Sequence, residues 1–335
     1  PYPMPNIFSE LIGQKQAVEL LSQAVEKNRI APAYLFTGPD GVGRSLAARC
    51  FVELLFSIEI LEKNVGIINE NSALKNRIEQ RNHPDLLWVE PTYLHQGKRL
   101  STSEAIAAGV KRKAPPQIRL EQIREITQFL SRPPMQASRS VVVLEQAESM
   151  NESAANGLLK TLEEPGKATL ILLAPGAESL LPTLVSRCQR IPFYRLNTKD
   201  ISTVLKNTEH EEILHNKAVM ALSQGSPGEA IASWQQLQAI PSDLLEAVSK
   251  PPKNLRDALE FAKEIDKNLD TEAQLWLLDY LQYCYWQQFW KRGVYNVPLI
   301  DLEKAKKYLL SYVQPRLVWE CTLMALCQGG KIGKI

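Results

Sequence analysis

The feature that most restricts this chain is a glycine-rich octet set between two unlike segments. Gly38-Pro39-Asp40-Gly41-Val42-Gly43-Arg44-Ser45 follows the apolar run Ala33-Tyr34-Leu35-Phe36-Thr37 and leads into a helical stretch, 45–56. A strand that turns through glycines into a helix is the setting of a phosphate loop, G-x-x-x-x-G-K-[ST]. Glycines let successive backbone N–H groups face inward, and the helix N-terminus adds positive potential, so the geometry suits phosphate. Gly38, Gly43 and Ser45 hold the required spacing and Gly41 adds a further turn residue, but Arg44 takes the lysine position. Lysine is a compact point charge and arginine a broad planar fork, so the exchange is not neutral. Taken alone, the octet reads either as a nucleotide loop or as a glycine turn kept for packing.

A phosphate loop needs a parallel sheet beneath it, and the first 195 residues supply the alternation. Val141-Val142-Val143-Leu144 is wholly apolar and largely β-branched, as a central parallel strand requires, and Leu86-Leu87-Trp88-Val89 and 169–174 are further strand candidates. Between them lie amphipathic helices. Ala17, Leu20, Leu21 and Ala24 mark one over 14–27, and Ile123, Ile126, Phe129 and Leu130 mark another over 120–130. Asn151 is an N-cap for a helix that ends near Glu164, where Pro165-Gly166 stops it. Strands interleaved with helices predict an α/β domain over 1–195. After Ile191-Pro192-Phe193 the strand signal fades, and nearly everything from 198 onward reads as helix. Gly225-Ser226-Pro227-Gly228 and Pro251-Pro252 interrupt it, which places boundaries near 196 and 245 and predicts units over 196–244 and 245–335. Within 275–290, Leu275, Leu278, Leu281, Tyr285 and Phe289 share one helical face, while Trp276, Tyr280, Tyr283, Trp286 and Trp290 cover much of the rest. A helix apolar nearly all round is buried on most sides. Segment 91–116 shows no period and carries Lys98, Arg99, Lys111, Arg112 and Lys113 against one acid, Glu104, so a solvated loop is expected there.

Composition narrows the function classes. Lys plus Arg number 39 and Asp plus Glu 37 in 335 residues, a net charge of +2, so nucleic acid can be met only through a local patch or a shared surface. Cys50, Cys188, Cys284, Cys321 and Cys327 are odd in number and form no C-x-x-C pair, which argues against a disulfide scaffold and for a reducing compartment. His210 and His215 flank Glu211 and Glu212, a solvated face rather than a closed four-ligand zinc set, and no zinc is expected. No run of 18 apolar residues and no signal-peptide pattern occur, so a cytoplasmic location is expected.

Hydrolysis by a phosphate-loop protein requires a second motif. An apolar strand should end in Asp, which orients magnesium, and then Glu, which polarises the attacking water. The strand 141–144 is followed instead by Glu145-Gln146. The first carboxylate is one methylene too long, and an amide cannot accept a proton as a carboxylate does. Two independent positions therefore depart in the direction that removes turnover.

Three further segments give the pattern a family. Phe8-Ser9-Glu10-Leu11-Ile12-Gly13-Gln14, the run Asn156-Gly157-Leu158-Leu159-Lys160-Thr161-Leu162-Glu163-Glu164-Pro165, and Leu181-Pro182-Thr183-Leu184-Val185-Ser186-Arg187-Cys188 resemble, in order and spacing, the F-x-x-[LI]-[IV]-G-Q, N-A-L-L-K-T-L-E-E-P and "SRC" segments of the AAA+ clamp-loader subunits of bacterial DNA polymerase III. The resemblance implies an AAA+ P-loop domain, a small helical lid and an all-α collar. It implies a place in a five-subunit assembly with gamma/tau ATPases and delta, which loads the sliding clamp on primed DNA. Arg187, as the SRC arginine, is expected to reach a neighbour's ATP site in trans. Gly38, Gly41, Gly43, Arg44, Ser45 and Glu145 are the candidate residues of the chain's own degenerate nucleotide site. Ala174-Pro175 stand where a polar sensor ends the strand in ATPase members, and an acid, Glu229, replaces an arginine in the lid segment 225–230. The expectation is a non-hydrolysing subunit with no firm cofactor of its own. The alternatives are a motor subunit in which Arg44 and Glu145 act in altered form, and a phosphotransferase, in which the SRC segment has no role.

Overall fold

A computed structural model describes residues 7–62, 67–109, 115–164, 166–291 and 299–329. The expectations placed on 1–6, Lys111, Arg112, Lys113, Pro165 and the side chains of Phe289 and Trp290 lie outside the described residues. The chain divides into two compact units. The described residues up to Val204 form the first and those from Leu205 the second, the division falling within helix Thr198–Asn207.

The first unit is built on the predicted sheet. Strands β1 (Ala33–Thr37), β2 (Leu86–Val89), the short pair β3 (Tyr93–His95) and β4 (Lys98–Leu100), β5 (Ser140–Leu144), β6 (Ala168–Ala174) and β7 (Gln189–Pro192) follow in chain order. Five of them form one parallel sheet in the order β2-β5-β6-β1-β7. Every residue of the central strands β5 and β6 is buried, which is why both read as unbroken apolar runs rather than alternating ones. Helices Leu120–Leu130 and Glu152–Glu163 cover one face. Ile123, Ile126, Leu158 and Leu162 pack there with Val142, Leu144, Leu170 and Leu172 of the strands. Asn151 caps the second helix as expected, its side chain accepting the Ala154 N–H at 2.8 Å. Gly157 lets that helix approach its neighbour, since a Cβ there would stand 3.0 Å from Leu120 Cδ1.

Segment 91–116 departs from expectation. Its described residues contain the antiparallel β3–β4 hairpin, turning through Gln96 and Gly97 at φ 48° and 76°, and helix Thr102–Ala107. Ser101 and Glu104 form a reciprocal capping box that starts this helix. Arg99 is ion-paired with Glu125, so this cation is tied to the first unit's own surface.

The second unit is all helix, from Leu205 through Pro315–Gly329. Its core gathers Leu277, Leu278, Leu281 and Tyr285 of helix Thr271–Lys291 against Ala262, Ile265, Leu302, Leu309, Trp319 and Leu323. The buried Tyr285 hydroxyl donates to the Val248 carbonyl at 2.8 Å, and the Trp319 indole N–H donates to Gln274 Oε1 at 2.9 Å. Ser226 caps helix Pro227–Ala239, accepting the Glu229 N–H at 3.2 Å, so the Gly-Ser-Pro-Gly break is a helix start. Trp286 lies on the side of this helix that its unit leaves uncovered, with 42% of its surface exposed. Among the described residues no helix is long and apolar enough to cross a membrane, and no group of three or more His, Cys, Asp or Glu could hold a metal ion.

Candidate functional site

Strand register assembles the site. Thr37 of β1 lies beside Ala174 of β6, and β5 beside β6 keeps Leu144 level with Leu172, so the glycine octet and Glu145 emerge at the same carboxyl edge of the sheet. Open parallel sheets bind ligands at that edge. Gly38, Gly41 and Gly43 have φ of 156°, 73° and 110°. Gly38 has no room for a side chain: an added Cβ would meet the Phe193 carbonyl oxygen at 2.5 Å. Helix Arg44–Glu62 starts at the end of the octet, with Ala47, Ala48, Phe51 and Leu55 fully buried beneath it.

The Gly13-Gln14 box acts as a clasp on this loop. Gln14 is 2% exposed. Its Nε2 donates to the carbonyls of Val42 at 3.1 Å and Tyr194 at 2.7 Å, and its Oε1 accepts the Tyr194 N–H at 3.1 Å. Leu11 packs against the loop as well, its Cδ1 standing 2.7 Å from where a Cβ on Gly43 would lie.

Gly41, Gly43, Arg44, Ser45 and Glu145 line one cavity of about 260 Å³ together with Asp40, Gln146 and Leu173. Gly38 supports it from the end of β1, its N–H donating to the Ala174 carbonyl at 3.3 Å. Arg44 is ion-paired with Asp40 and only 10% of its side chain is exposed. The Ser45 hydroxyl donates to Glu145 Oε1 at 3.0 Å. Gln146 adopts the left-handed conformation, φ 49° and ψ 54°, which costs a non-glycine residue about 1–2 kcal/mol. Burial pushes the Glu148 carboxyl up, partly countered by Arg44 and reinforced by Asp40.

The sequence reading did not bring in Arg81. Its guanidinium pairs with Glu90 at 2.5 Å, lies 4.0 Å from Glu145 Oε1, and sits over the Trp88 ring at 5.1 Å. No motif marks it. Its left-handed backbone, φ 55°, two residues past helix Ile67–Glu79, leaves no trace in the sequence.

Arg187 stands apart from this cavity. It follows the short helix Pro182–Val185, anchored by buried Leu184 and Val185. Its Nη1 donates to the Thr183 carbonyl at 3.0 Å and its Nη2 to Glu163 Oε1 at 3.2 Å. The arginine side chain is 39% exposed and that of Glu163 is 57% exposed. Burial pushes the neighbouring Cys188 thiol up to about 11.

A parallel sheet with a glycine loop and helix at its carboxyl edge, followed by helices alone, defines a P-loop-type α/β fold with a helical C-terminal region. A crystal structure of a DNA polymerase III gamma subunit-related protein from Thermotoga maritima shares the fold, with a TM-score of 0.50 and 16% identity over 93% of this chain and 99% of that one. A family model described as DNA polymerase III, delta subunit, matches residues 13–197, and the chain belongs to that family. Residues 199–326 match the C-terminal domain of cyanobacterial DNA polymerase III delta prime. Among curated relatives, DNA polymerase III subunit delta' of Bacillus subtilis is 30% identical over 221 residues, 65% of this chain. The subunit of the same name from Pseudomonas aeruginosa is 32% identical over 214 residues, 62% of this chain. The chain spans 58% and 57% of the length of these two relatives.

A magnesium-bound nucleotide, which this fold class implies, is a poor fit to the residues present. The cavity, about 260 Å³, lies at the lower edge of the roughly 300–1,000 Å³ of typical ligand sites. Arg44 is engaged by Asp40, and apolar Leu173 and Ala174 end the strand beside it. One feature points the other way: Nη1 of Arg44 is buried without a hydrogen-bond partner.

Proposed function

We propose that this chain is a subunit of the bacterial, cytoplasmic DNA polymerase III clamp loader that does not hydrolyse ATP and lends Arg187 to the ATP site of a neighbouring subunit. In this reading 1–195 is the AAA+ domain, 196–244 the lid and 245–335 the collar that meets the other subunits. Gamma/tau ATPases and delta are the partners, and the sliding clamp and primed DNA are met through the assembly.

The observation that carries the proposal is the contrast between two arginines. Arg44 lies buried in the chain's own loop and bound to Asp40, whereas Arg187 is displayed on an anchored turn. The Arg187–Glu163 pair is exposed, and exposed pairs of this kind hold by only about 0.2–1 kcal/mol. Releasing it costs less than the roughly 3–4 kcal/mol that one well-placed donor contributes to an anionic transition state. A guanidinium supplied in trans to a transferring phosphoryl group is a known device of P-loop enzymes.

The competing reading, a motor with a variant loop, is favoured by the retained Ser45–Glu145 hydrogen bond. Steady-state ATP turnover by the isolated chain separates the two. The proposal expects none above background. Turnover that Arg44→Ala abolishes would establish the motor.

A further inference from the structure

The residues around Glu145 carry a reading that goes deeper than the absence of hydrolysis, and it rests on the proposal that this site does not turn over ATP. In a working site the loop serine and the strand-end carboxylate together hold a divalent cation. Here Ser45 and Glu145 are joined at 3.0 Å, and the Arg81 guanidinium lies 4.0 Å from the same Glu145 oxygen. We infer that Arg81 stands in place of the divalent cation, supplying positive charge beside Glu145 from the chain itself, so that this position takes no metal.

Three restraints hold Arg81 at this position. Its pair with Glu90 is half-exposed and weak by itself, and the Trp88 ring 5.1 Å from the guanidinium and the left-handed backbone add to it. A left-handed backbone is unfavourable for arginine, and the attraction of the guanidinium to the indole face offsets it. Strand geometry fixes the other partners. Trp88 belongs to β2 and Glu90 follows it, while the Glu145 N–H donates to the Val89 carbonyl at 2.9 Å, which keeps both carboxylates at one sheet edge.

Charge balance explains why one cation excludes the other. Arg44 and Arg81 face Asp40, Glu90 and Glu145. Without Arg81, two carboxylates and the Ser45 hydroxyl would be left as an oxygen cluster of the kind that hard divalent cations bind. With it, a metal ion at Glu145 would meet a fixed positive charge. Arg44 remains bound to Asp40 in either case, so the exchange concerns the metal position alone.

The test is Mn2+ binding to the full chain, read by electron paramagnetic resonance and by the shift in melting temperature. Wild type is expected to show no saturable site at millimolar Mn2+, and Arg81→Gln to gain one that saturates at a concentration on the order of tenfold or more below that limit, the scale of a close charge pair. Arg81→Lys, which keeps the charge, should behave as wild type, and adding Glu145→Gln to Arg81→Gln should remove the gained site. Saturable Mn2+ binding by wild type overturns the inference, as does an Arg81→Gln variant that melts cooperatively and gains no metal. Metal binding by wild type without ATP turnover would sink this inference alone and leave the non-hydrolysing reading standing.

Discussion

Replacing Gln14 with alanine tests whether the glycine loop is held by a clasp or stands unaided. The amide makes three hydrogen bonds, to the carbonyls of Val42 and Tyr194 and from the Tyr194 N–H, at 3.1, 2.7 and 3.1 Å. Each neutral bond contributes about 1 kcal/mol net, so the substitution should cost about 3 kcal/mol. The cost falls on the first unit, because all three partners lie within it. Urea unfolding of the full chain should show a lower midpoint for that unit with an unchanged denaturant slope. Amide hydrogen exchange in 38–43 should quicken by about a hundredfold, the equivalent of some 2.8 kcal/mol. Gln14→Glu, which keeps the volume but turns a carboxylate toward two carbonyls, should be at least as damaging. A loss below about 1 kcal/mol with unchanged exchange in the loop would refute the clasp.

The Asp85 carboxylate is buried, which alone would push its carboxyl up, but the N–H groups of Met135, Gln136 and Ala137 donate to it at 2.7–2.8 Å and hold it below the usual range. A depressed carboxylate stabilises the fold above its unfolded value of about 3.9 and loses that contribution as pH falls through the folded value, so Asp85→Asn should flatten the acid limb of urea midpoints measured from neutral to acid pH; an unchanged limb counts against it. Burial pushes the Cys50 thiol, and partial burial the Cys188 thiol, up to about 11 while Cys321 is exposed, so iodoacetamide near pH 8, followed by peptide mass mapping, should label Cys321 first; early labelling of Cys188 would contradict its raised thiol.

What could be read in advance divides by physical cause. β5 and the Asn151 cap were legible because each is written in adjacent residues: a β-branched run buried on both faces, and a side chain that bonds three residues ahead. The candidate loop residues were legible for the same reason, since a phosphate loop is a local conformation. The β3–β4 hairpin was missed because strands of three residues cannot display an alternation, although Ser101-x-x-Glu104 was a readable start signal for the helix that follows. Arg81 was invisible for a different reason. Its partners Glu90 and Glu145 lie 9 and 64 residues further along, and only the parallel pairing of β2 with β5 brings them to one edge. The fate of Arg44 was half-legible: the lysine exchange was plain, but its capture by Asp40, four residues earlier in the same octet, depends on how the loop folds. Trp286 shows the limit of periodicity, since an all-round apolar helix says nothing about which sector its own unit leaves uncovered.

The central claim is that this chain's working cation for ATP chemistry is one it gives away. The most direct measurement is DNA-stimulated ATP turnover of the reconstituted clamp loader carrying Arg187→Ala in this subunit alone, with assembly checked by size. Turnover should fall by roughly 10–1000-fold, the range for a guanidinium or comparable donor at an anionic transition state. An intact complex that hydrolyses ATP at the wild-type rate would contradict the account.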